Sequence, residues 1–245
     1  MADNVSGPVR IAALGDLHHA KSGATADTRF LSQISDAADV LVLCGDLTDT
    51  GLPDEAHELA QALSQTVRIP IVGVLGNHDY ESGLEAEVRR ILTEAGVTLL
   101  DGEACEVRGI GFAGVKGFAG GFGRGTLGPW GETIVKAFVQ EAVNEALKLE
   151  TALARLRTPH KVAVLHYAPI AGTAEGEPRE IFPFLGCSRL EDPINRYPVS
   201  AVFHGHAHHG APEGRTSNGS PVYNVSLPLL QSLQPDHLFR VITLG

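Results

Sequence analysis

Paired cysteines and long hydrophobic runs are both missing from this sequence of 245 residues. Its three cysteines, Cys44, Cys105 and Cys187, are an odd number without paired spacing, so a disulfide framework is not expected. No apolar run approaches the roughly 18 residues that a membrane span needs, and residues 1–8 lack the features of a signal peptide. We therefore expect an unprocessed, soluble protein of the reducing cytoplasm.

Positive charge is also scarce, because 19 lysines and arginines stand against 29 aspartates and glutamates and the formal net charge is −10. An acidic surface does not attract nucleic acid or an anionic membrane over long range, although one basic pocket can still accept a small phosphate ester. We therefore expect such a small substrate as the partner, with no membrane or nucleic acid. A homo-oligomer is compatible with the sequence. A chain of this length buries one substantial core, so residues 1–245 are expected to form a single domain.

The sequence does contain a regular succession of apolar segments and amphipathic helices. Short apolar runs that are rich in β-branched residues and end in glycine are typical of strands covered on both faces. Three such runs occupy residues 9–14, 40–44 and 69–75. Helical patterns follow each of them, so the first hundred residues predict a βαβαβα order. Beyond them we expect a hairpin or edge strands within 97–115, a long helix before Pro159, buried strands at 161–165 and 199–203, and a closing strand pair at 221–225 and 238–244.

Five short polar stretches place Asp, Asn or His where a hydrophobic run stops. They are Gly15-Asp16-Leu17-His18, Gly45-Asp46-Leu47-Thr48-Asp49, Gly76-Asn77-His78-Asp79, Leu165-His166 and Gly205-His206-Ala207-His208. In open α/β sheets functional groups lie on loops beyond the carboxyl ends of the strands, so these side chains are expected at one edge. Oxygen and imidazole ligands without a thiolate suit cations such as Mn, Fe, Zn or Co. The pattern therefore predicts a metal centre.

In this order the five stretches resemble the motifs of the calcineurin-like metallophosphoesterases, D-x-H, G-D-x-x-D, G-N-H-D/E, a single H and G-H-x-H. The resemblance implies an α/β fold, a four-layer αββα sandwich of two mixed β-sheets flanked by helices. It also implies two metal ions that share the bridging ligand Asp46. The first ion would be held by Asp16, His18, Asp46 and His208. The second would be held by Asp46, Asn77, His166 and His206.

The same resemblance implies a dinuclear phosphoesterase. Two cations about 3.5 to 4 Å apart clamp a phosphoryl oxygen and acidify a water between them, so that a bridging hydroxide attacks phosphorus. His78 would then protonate the leaving alkoxide. Asp79 would orient that imidazole, as carboxylates beside histidines commonly do. Asn77 would both ligate a metal and help to fix the phosphate.

The substrate and two alternatives are less well defined by the motifs. The stretch Gly-Asp-Leu-Thr-Asp-Thr-Gly with Gly-Asn-His-Asp is similar to the branch that includes class III cyclic-nucleotide phosphodiesterases, so a small phosphodiester is expected first and a phosphomonoester second. Nucleases and pyrophosphatases of the superfamily are alternatives. So is a non-catalytic binding or scaffold protein, although members of that kind lack a ligand or the G-N-H histidine. Asp49 is expected to cap a helix turn or to support a neighbouring histidine, and a role as a metal ligand is the less favoured alternative.

A glycine-rich segment lies between the third and fourth motifs. Residues 117–131 include seven glycines together with Phe118, Phe122, Arg124 and Trp130. Loops of this length are often lids or binding elements, and this one offers one cation and several aromatic faces. It is interpreted either as a flexible surface loop or as a substrate cap in which Arg124 contacts the substrate.

Overall fold

The computed structural model describes residues 7–20 and 30–245, and its strands follow the predicted order closely. The eleven strands in these ranges are β1 (Val9–Leu14), β2 (Val40–Cys44), β3 (Ile71–Val74), β4 (Val97–Leu99), β5 (Glu103–Val107), β6 (Ile110–Gly114), β7 (His160–Val164), β8 (Ala201–His204), β9 (Glu213–Arg215), β10 (Pro221–Asn224) and β11 (Arg240–Leu244). Strands β5 and β6 form the expected hairpin, with Arg108 and Gly109 in left-handed conformations at its turn.

Seven helices connect the described strands. They are α1 (Leu31–Ala37), α2 (Pro53–Thr66), α3 (Glu85–Glu94), α4 (Thr133–Arg155), α5 (Phe182–Leu185), α6 (Glu191–Arg196) and α7 (Leu227–Leu233). Helix α2 begins at Pro53, and the Glu55 carboxylate accepts the backbone N–H groups of Thr50 and Leu52 just before it. A carboxylate at this end complements the free N–H groups and the positive end of the helix dipole. None of the helices in the described ranges is long and apolar enough to span a membrane.

The strands form two mixed sheets. The first has the order β11-β1-β2-β3-β4, in which only β11 is antiparallel to its neighbour. The second has the order β5-β6-β7-β8-β10-β9, with β5 and β9 antiparallel at its edges. The predicted pairing of 221–225 with 238–244 is wrong, because β10 lies beside β8 whereas β11 occupies the free edge of β1 in the other sheet.

The core is divided by the two sheets into three apolar layers. In β1 the side chains alternate, so that Ile11 and Ala13 face the second sheet while Ala12 and Leu14 face helices α1 to α3. On the far side of the second sheet, Leu149 of α4 packs with other apolar side chains of that layer. Helices therefore cover both outer faces, which confirms the predicted αββα sandwich.

The carboxyl ends of β1, β2 and β3 lie at one edge of the first sheet because these strands are parallel, and those of β7 and β8 meet in the second. The backbone turns sharply just beyond several of these ends. Outside glycine, five described residues have a clearly positive φ, and four of them belong to the polar motifs: Asp16, His18, Asp46 and His206. Strained backbone of this kind concentrates at functional sites.

Candidate metal centre

The predicted ligands come together at this shared edge. Ligand atoms of Asp16, His18 and His208 lie within 4.8 Å of one another, and those of Asp46, His166 and His206 do the same. The Oδ1 atom of Asn77 lies 2.8 Å from Nε2 of His166. The structure therefore brings all seven predicted ligands close together at this edge.

Two motif glycines allow the loops to approach this closely. A Cβ atom at Gly76 would lie 2.2 Å from Oδ1 of Asp46, and one at Gly205 would lie 2.2 Å from Oδ2 of Asp16. Both distances are far below van der Waals contact, so any larger residue would displace a predicted ligand. The glycines in G-N-H-D and G-H-x-H are therefore explained by contact with the carboxylates.

The imidazole of His166 presents an unprotonated nitrogen to the centre. Its Nδ1 donates to the backbone oxygen of Cys44 at 2.9 Å, which leaves Nε2 without a proton in the neutral ring. Burial lowers the pKa of His166 to about 4, so the ring is neutral at pH 7. Its Nε2 lies 2.8 Å from Oδ1 of Asn77 and 3.3 Å from Oδ1 of Asp46. In the neutral ring Nε2 thus faces an amide oxygen and a carboxylate oxygen without a hydrogen of its own to donate, which is an arrangement that a cation stabilises.

The cluster of Asp16, His18 and His208 also contains a buried ring nitrogen that lacks a hydrogen-bond donor or acceptor among the described residues. The Nε2 atom of His18 is buried without a hydrogen-bond partner in the described structure and lies 3.8 Å from Oδ2 of Asp46. A buried polar nitrogen without a partner is costly unless an ion or another group satisfies it. The donor set of carboxylate, amide and imidazole therefore fits divalent cations.

Burial of two carboxylates so close together also favours a cation. Burial and the charge of Asp16 raise the pKa of Asp46 to about 7. Burial would raise the pKa of Asp16 as well, but the hydrogen bond from His208 and the neighbouring imidazoles hold it below its usual range. Positive ions would remove this repulsion by stabilising both ionised carboxylates.

His78 is not among the seven predicted ligands, although a ring nitrogen of His78 lies within 4.8 Å of ligand atoms of His18 and Asp46. Its backbone N–H donates to Oδ1 of Asp46 at 2.9 Å, and its Nδ1 lies 2.6 Å from the backbone oxygen of Asp49. Burial lowers the pKa of this half-buried imidazole, but the Asp49 carbonyl and the nearby carboxylates of Asp46 and Glu81 outweigh burial and raise it. The position of the ring and the raised direction of its pKa both suit a proton donor.

The structure corrects the expectation that Asp79 orients the His78 imidazole. The Asp79 carboxylate is fully buried and accepts the backbone N–H groups of Leu47, Thr48 and Gly76 at 3.2, 2.8 and 2.8 Å. The Thr48 hydroxyl donates to it at 2.6 Å. With these four hydrogen bonds Asp79 ties the loop after β2 to the loop after β3.

Asp49 supports the histidines instead, which was one of its two expected roles. Its backbone oxygen holds His78, and its carboxylate lies 3.5 Å from Nδ1 of His18. It does not cap α2, because Glu55 does so.

The glycine-rich segment is joined to the centre only indirectly. The N–H groups of Gly120 and Gly121 donate to the backbone oxygens of Pro183 and Gly186 at 2.7 and 2.8 Å. The neighbouring Phe184 oxygen accepts from Nε2 of His206 at 3.1 Å. Arg124 is exposed, and no ion pair or hydrogen bond joins it to a predicted ligand within the described ranges.

Sequence reasoning missed two supports of His206. One is the Phe184 carbonyl, a backbone group that no residue type announces. The other is Tyr167, whose ring centroid lies 4.4 Å from that of His206. The only sequence signal for Tyr167 is its position directly after His166.

Comparisons with known proteins agree with this geometry. A family model described as calcineurin-like phosphoesterase matches residues 9–210. The structure of a phosphopantetheinyl hydrolase from Mycobacterium tuberculosis is similar with a TM-score of 0.67 and 17% identity, covering 95% of each chain. The structure of TT1561 of Thermus thermophilus has a TM-score of 0.56 and 14% identity, covering 98% of this chain and 99% of that one.

A putative 5'-nucleotidase from Staphylococcus aureus, solved in complex with alpha-ketoglutarate, is similar over 89% of this chain and 48% of its own, with a TM-score of 0.54 and 16% identity. A comparison with curated protein sequences finds no match. At these identities the structural likenesses establish the fold, whereas the family model spans most of the sequence and all five polar motifs. This chain belongs to the calcineurin-like phosphoesterase family.

Proposed function

We propose that this protein is a dinuclear metal-dependent phosphoesterase that hydrolyses a small phosphodiester or phosphomonoester. The observation that carries the proposal is the convergence of Nε2 of His166, Oδ1 of Asn77 and Oδ1 of Asp46, three potential ligand atoms that a cation among them would stabilise. The first ion would be held by Asp16, His18, Asp46 and His208. The second would be held by Asp46, Asn77, His166 and His206, with Mn, Fe, Zn or Co as candidate ions.

Two divalent ions bound there would polarise the phosphoryl oxygens and ionise the water that attacks phosphorus. Residues of the chain would orient the phosphate and supply the proton for the leaving group. Asn77 would hold the second ion through its amide oxygen and would offer its N–H groups to a phosphate oxygen. His78 donates the proton on Nε2 to the leaving oxygen, because the Asp49 carbonyl holds Nδ1 in its protonated form.

The substrate class that we propose first is a small phosphodiester, followed by a phosphomonoester. One specific candidate ester is a phosphopantetheinyl ester, because the mycobacterial phosphopantetheinyl hydrolase and this chain each cover 95% of the other. Arg124 would contact the substrate from the 117–131 loop; in support, this loop bonds to residues 183 and 186, and the Phe184 carbonyl between them accepts from His206. A scaffold role, or nuclease or pyrophosphatase activity, is the alternative function.

The test is metal analysis followed by a substrate screen. The protein is stripped with a chelator, loaded with Mn²⁺, Fe²⁺, Zn²⁺ or Co²⁺, and assayed on aryl monoesters and diesters, cyclic nucleotides, dinucleotides, nucleotide sugars and a phosphopantetheinyl ester. Asp46→Asn should abolish binding of both ions and turnover, whereas Asp39→Asn, a surface carboxylate paired with Arg10, should change neither. Protein that binds no divalent ion and hydrolyses no ester refutes the proposal. Two bound ions without turnover on any ester favour the scaffold role.

A further inference from the structure

Tyr167 packs against both imidazoles that belong to the second ion position. Its ring centroid lies 4.4 Å from that of His206 and 5.3 Å from that of His166, and the two imidazoles lie 4.8 Å apart. The Tyr167 side chain is buried. The three rings therefore form one compact cluster in which a rotation of either imidazole requires Tyr167 to move.

Lys116 holds Tyr167 through both its backbone and its side chain. The backbone oxygen of Lys116 accepts the N–H groups of His166 and Tyr167, each at 3.0 Å. Its Nζ lies 5.3 Å from the centroid of the Tyr167 ring and also faces the rings of Tyr80 at 5.5 Å and Phe118 at 5.0 Å. An ammonium over aromatic faces is attracted by their negative potential, so the cation fixes the ring that supports the ligands.

The turn that carries Lys116 is itself anchored from helix α4. The buried carboxylate of Glu145 accepts the N–H of Gly117 at 2.8 Å, and the Lys116 Nζ donates to the Gly117 oxygen at 2.9 Å. The support of the second ion position thus extends from His206 through Tyr167 and Lys116 to a helix on the outer face of the second sheet.

The first ion position is built differently. The centroid of the His18 ring lies 4.5 Å from that of His78 and 5.5 Å from that of His208. The side chains of His18 and His208 are 23% and 33% exposed. In the described part of the chain, no tyrosine or lysine packs on either ring. The imidazoles of the first position are held by the carboxylates of Asp16 and Asp49, whereas those of the second pack against Tyr167, so the two positions differ in which groups hold their imidazoles.

We propose that Tyr167 is a positioning residue for the second ion position and that Lys116 keeps it in place. The inference rests on the two-ion function proposed above. Imidazoles that are already held in the binding orientation lose less freedom when an ion binds, so loss of the tyrosine ring should weaken this position and spare the other. Tyr167 acts through His166 and His206 and touches no reacting atom.

The experiment is a calorimetric titration of the metal-free protein with Mn²⁺. His166→Ala first identifies which of the two binding steps belongs to the second position. Tyr167→Leu should weaken that step by about ten- to a hundredfold and leave the other within about twofold, whereas Tyr167→Phe should bind as the unchanged protein does. The matched control is Tyr223→Leu, since the Tyr223 ring packs on Phe203 and under Arg240. It should lower Tm without changing either step.

Several outcomes would overturn the inference. One is wild-type affinity at both steps in Tyr167→Leu, and another is equal weakening of both steps with no rescue by Tyr167→Phe. If Tyr167→Leu does not fold, Lys116→Met keeps the tyrosine and should weaken the same step by about threefold or more. An unchanged step in that variant refutes the role of Lys116 and, with it, the inference. A wild-type protein that binds fewer than two Mn²⁺ ions refutes the proposed function itself.

Discussion

The Nδ1 atom of His78 lies 2.6 Å from the backbone oxygen of Asp49. A carbonyl oxygen only accepts hydrogen bonds, so this contact keeps the proton on Nδ1 and leaves Nε2 to exchange a proton with a substrate. The contact uses the main chain of Asp49, so replacing its side chain would leave the bond intact. Protonation of the leaving group should therefore require the His78 side chain but not the Asp49 side chain.

We expect His78→Ala to lower kcat by about 10²- to 10⁴-fold on esters with poor leaving groups and by much less on activated aryl esters, which leave without protonation. The bound-metal content should be unchanged. Steady-state kinetics across a series of leaving-group pKa values provide the measurement. His57→Ala is the matched control, because His57 is exposed on α2. An equal loss across the whole series would contradict the role of proton donor.

Asp79→Asn should act on stability rather than on the pH dependence of His78. The buried carboxylate accepts three N–H groups and one hydroxyl, and an amide oriented with its NH₂ group toward an N–H would leave donors unsatisfied. We expect the free energy of unfolding to fall by about 1 to 3 kcal/mol in urea titrations. A shifted kinetic pKa without loss of stability would instead mean that Asp79 acts on the imidazole.

Gly205→Ala should disrupt the metal centre although it adds only a methyl group. The new Cβ would lie 2.2 Å from Oδ2 of Asp16, so either the carboxylate or the loop must move. We expect the affinity for the first ion to fall by at least about tenfold in a chelator-competition assay. Gly172→Ala is the control, because its Cβ would meet only one atom, at 3.8 Å. Wild-type affinity in Gly205→Ala would show that the loop relaxes without cost.

Arg124→Ala and Trp130→Ala test the 117–131 loop as a substrate cap. Arg124 is exposed and Trp130 is 75% exposed, so neither change should affect folding. If the loop covers the substrate, KM on the true substrate should rise about tenfold or more in Arg124→Ala, because the variant loses a charged hydrogen bond from the guanidinium. Arg68→Ala, at an exposed position just after α2, serves as a surface control. Unchanged kcat and KM in both loop variants would leave 117–131 as a surface loop only.

The metal-free protein should lose stability on acidification. Burial lowers the pKa of His166 and His204 to about 4 and that of His206 to about 3. Between about pH 6.5 and 4, these imidazoles are therefore protonated in the unfolded chain but neutral in the folded one, so acidification favours unfolding. The pKa of Asp46, raised to about 7, has the opposite effect, since its contribution to stability is lost as pH rises from about 4 to 7. Asp79, whose pKa burial also raises, acts with Asp46, and His19, whose pKa burial lowers, acts with the three imidazoles, so four imidazoles stand against two carboxyls.

We therefore expect Tm in the presence of a chelator to fall by about 5 °C or more between pH 6.5 and 4.5, measured by calorimetry. His57→Ala should leave this slope unchanged, because His57 is exposed. A Tm that stays constant or rises toward acid would contradict the burial of neutral imidazoles.

Much of the candidate site could be predicted because it depends on local chain order. Each ligand follows a buried strand directly, and the parallel pairing of β1 with β2 and of β2 with β3 brings those ends to one edge without any further information. The alternation of side chains in β1 likewise follows from strand geometry. What could not be predicted involves groups that sequence patterns do not mark.

Asp79 and β11 illustrate this limit. Two partners of Asp79 are backbone N–H groups of another loop. Every residue except proline carries such a group, so no residue type marks these partners in the sequence, and the position of Asp79 beside His78 suggested a different contact. Strand β11 is apolar like β10, and only the free edge of β1 decides which sheet it joins. In the same way, the Phe184 carbonyl reaches His206 through a backbone atom.

The sequence by itself determined the family, the identity of the seven candidate ligands and their place at the ends of strands, because these depend on residue types and on their order along the chain. Only the tertiary structure decided which group holds each imidazole. It placed the Asp49 carbonyl on His78, the Phe184 carbonyl on His206 and the Tyr167 ring against the imidazoles of two predicted ligands. These contacts join segments far apart in the chain or use backbone atoms common to all residues, so only packing of the two sheets selects them.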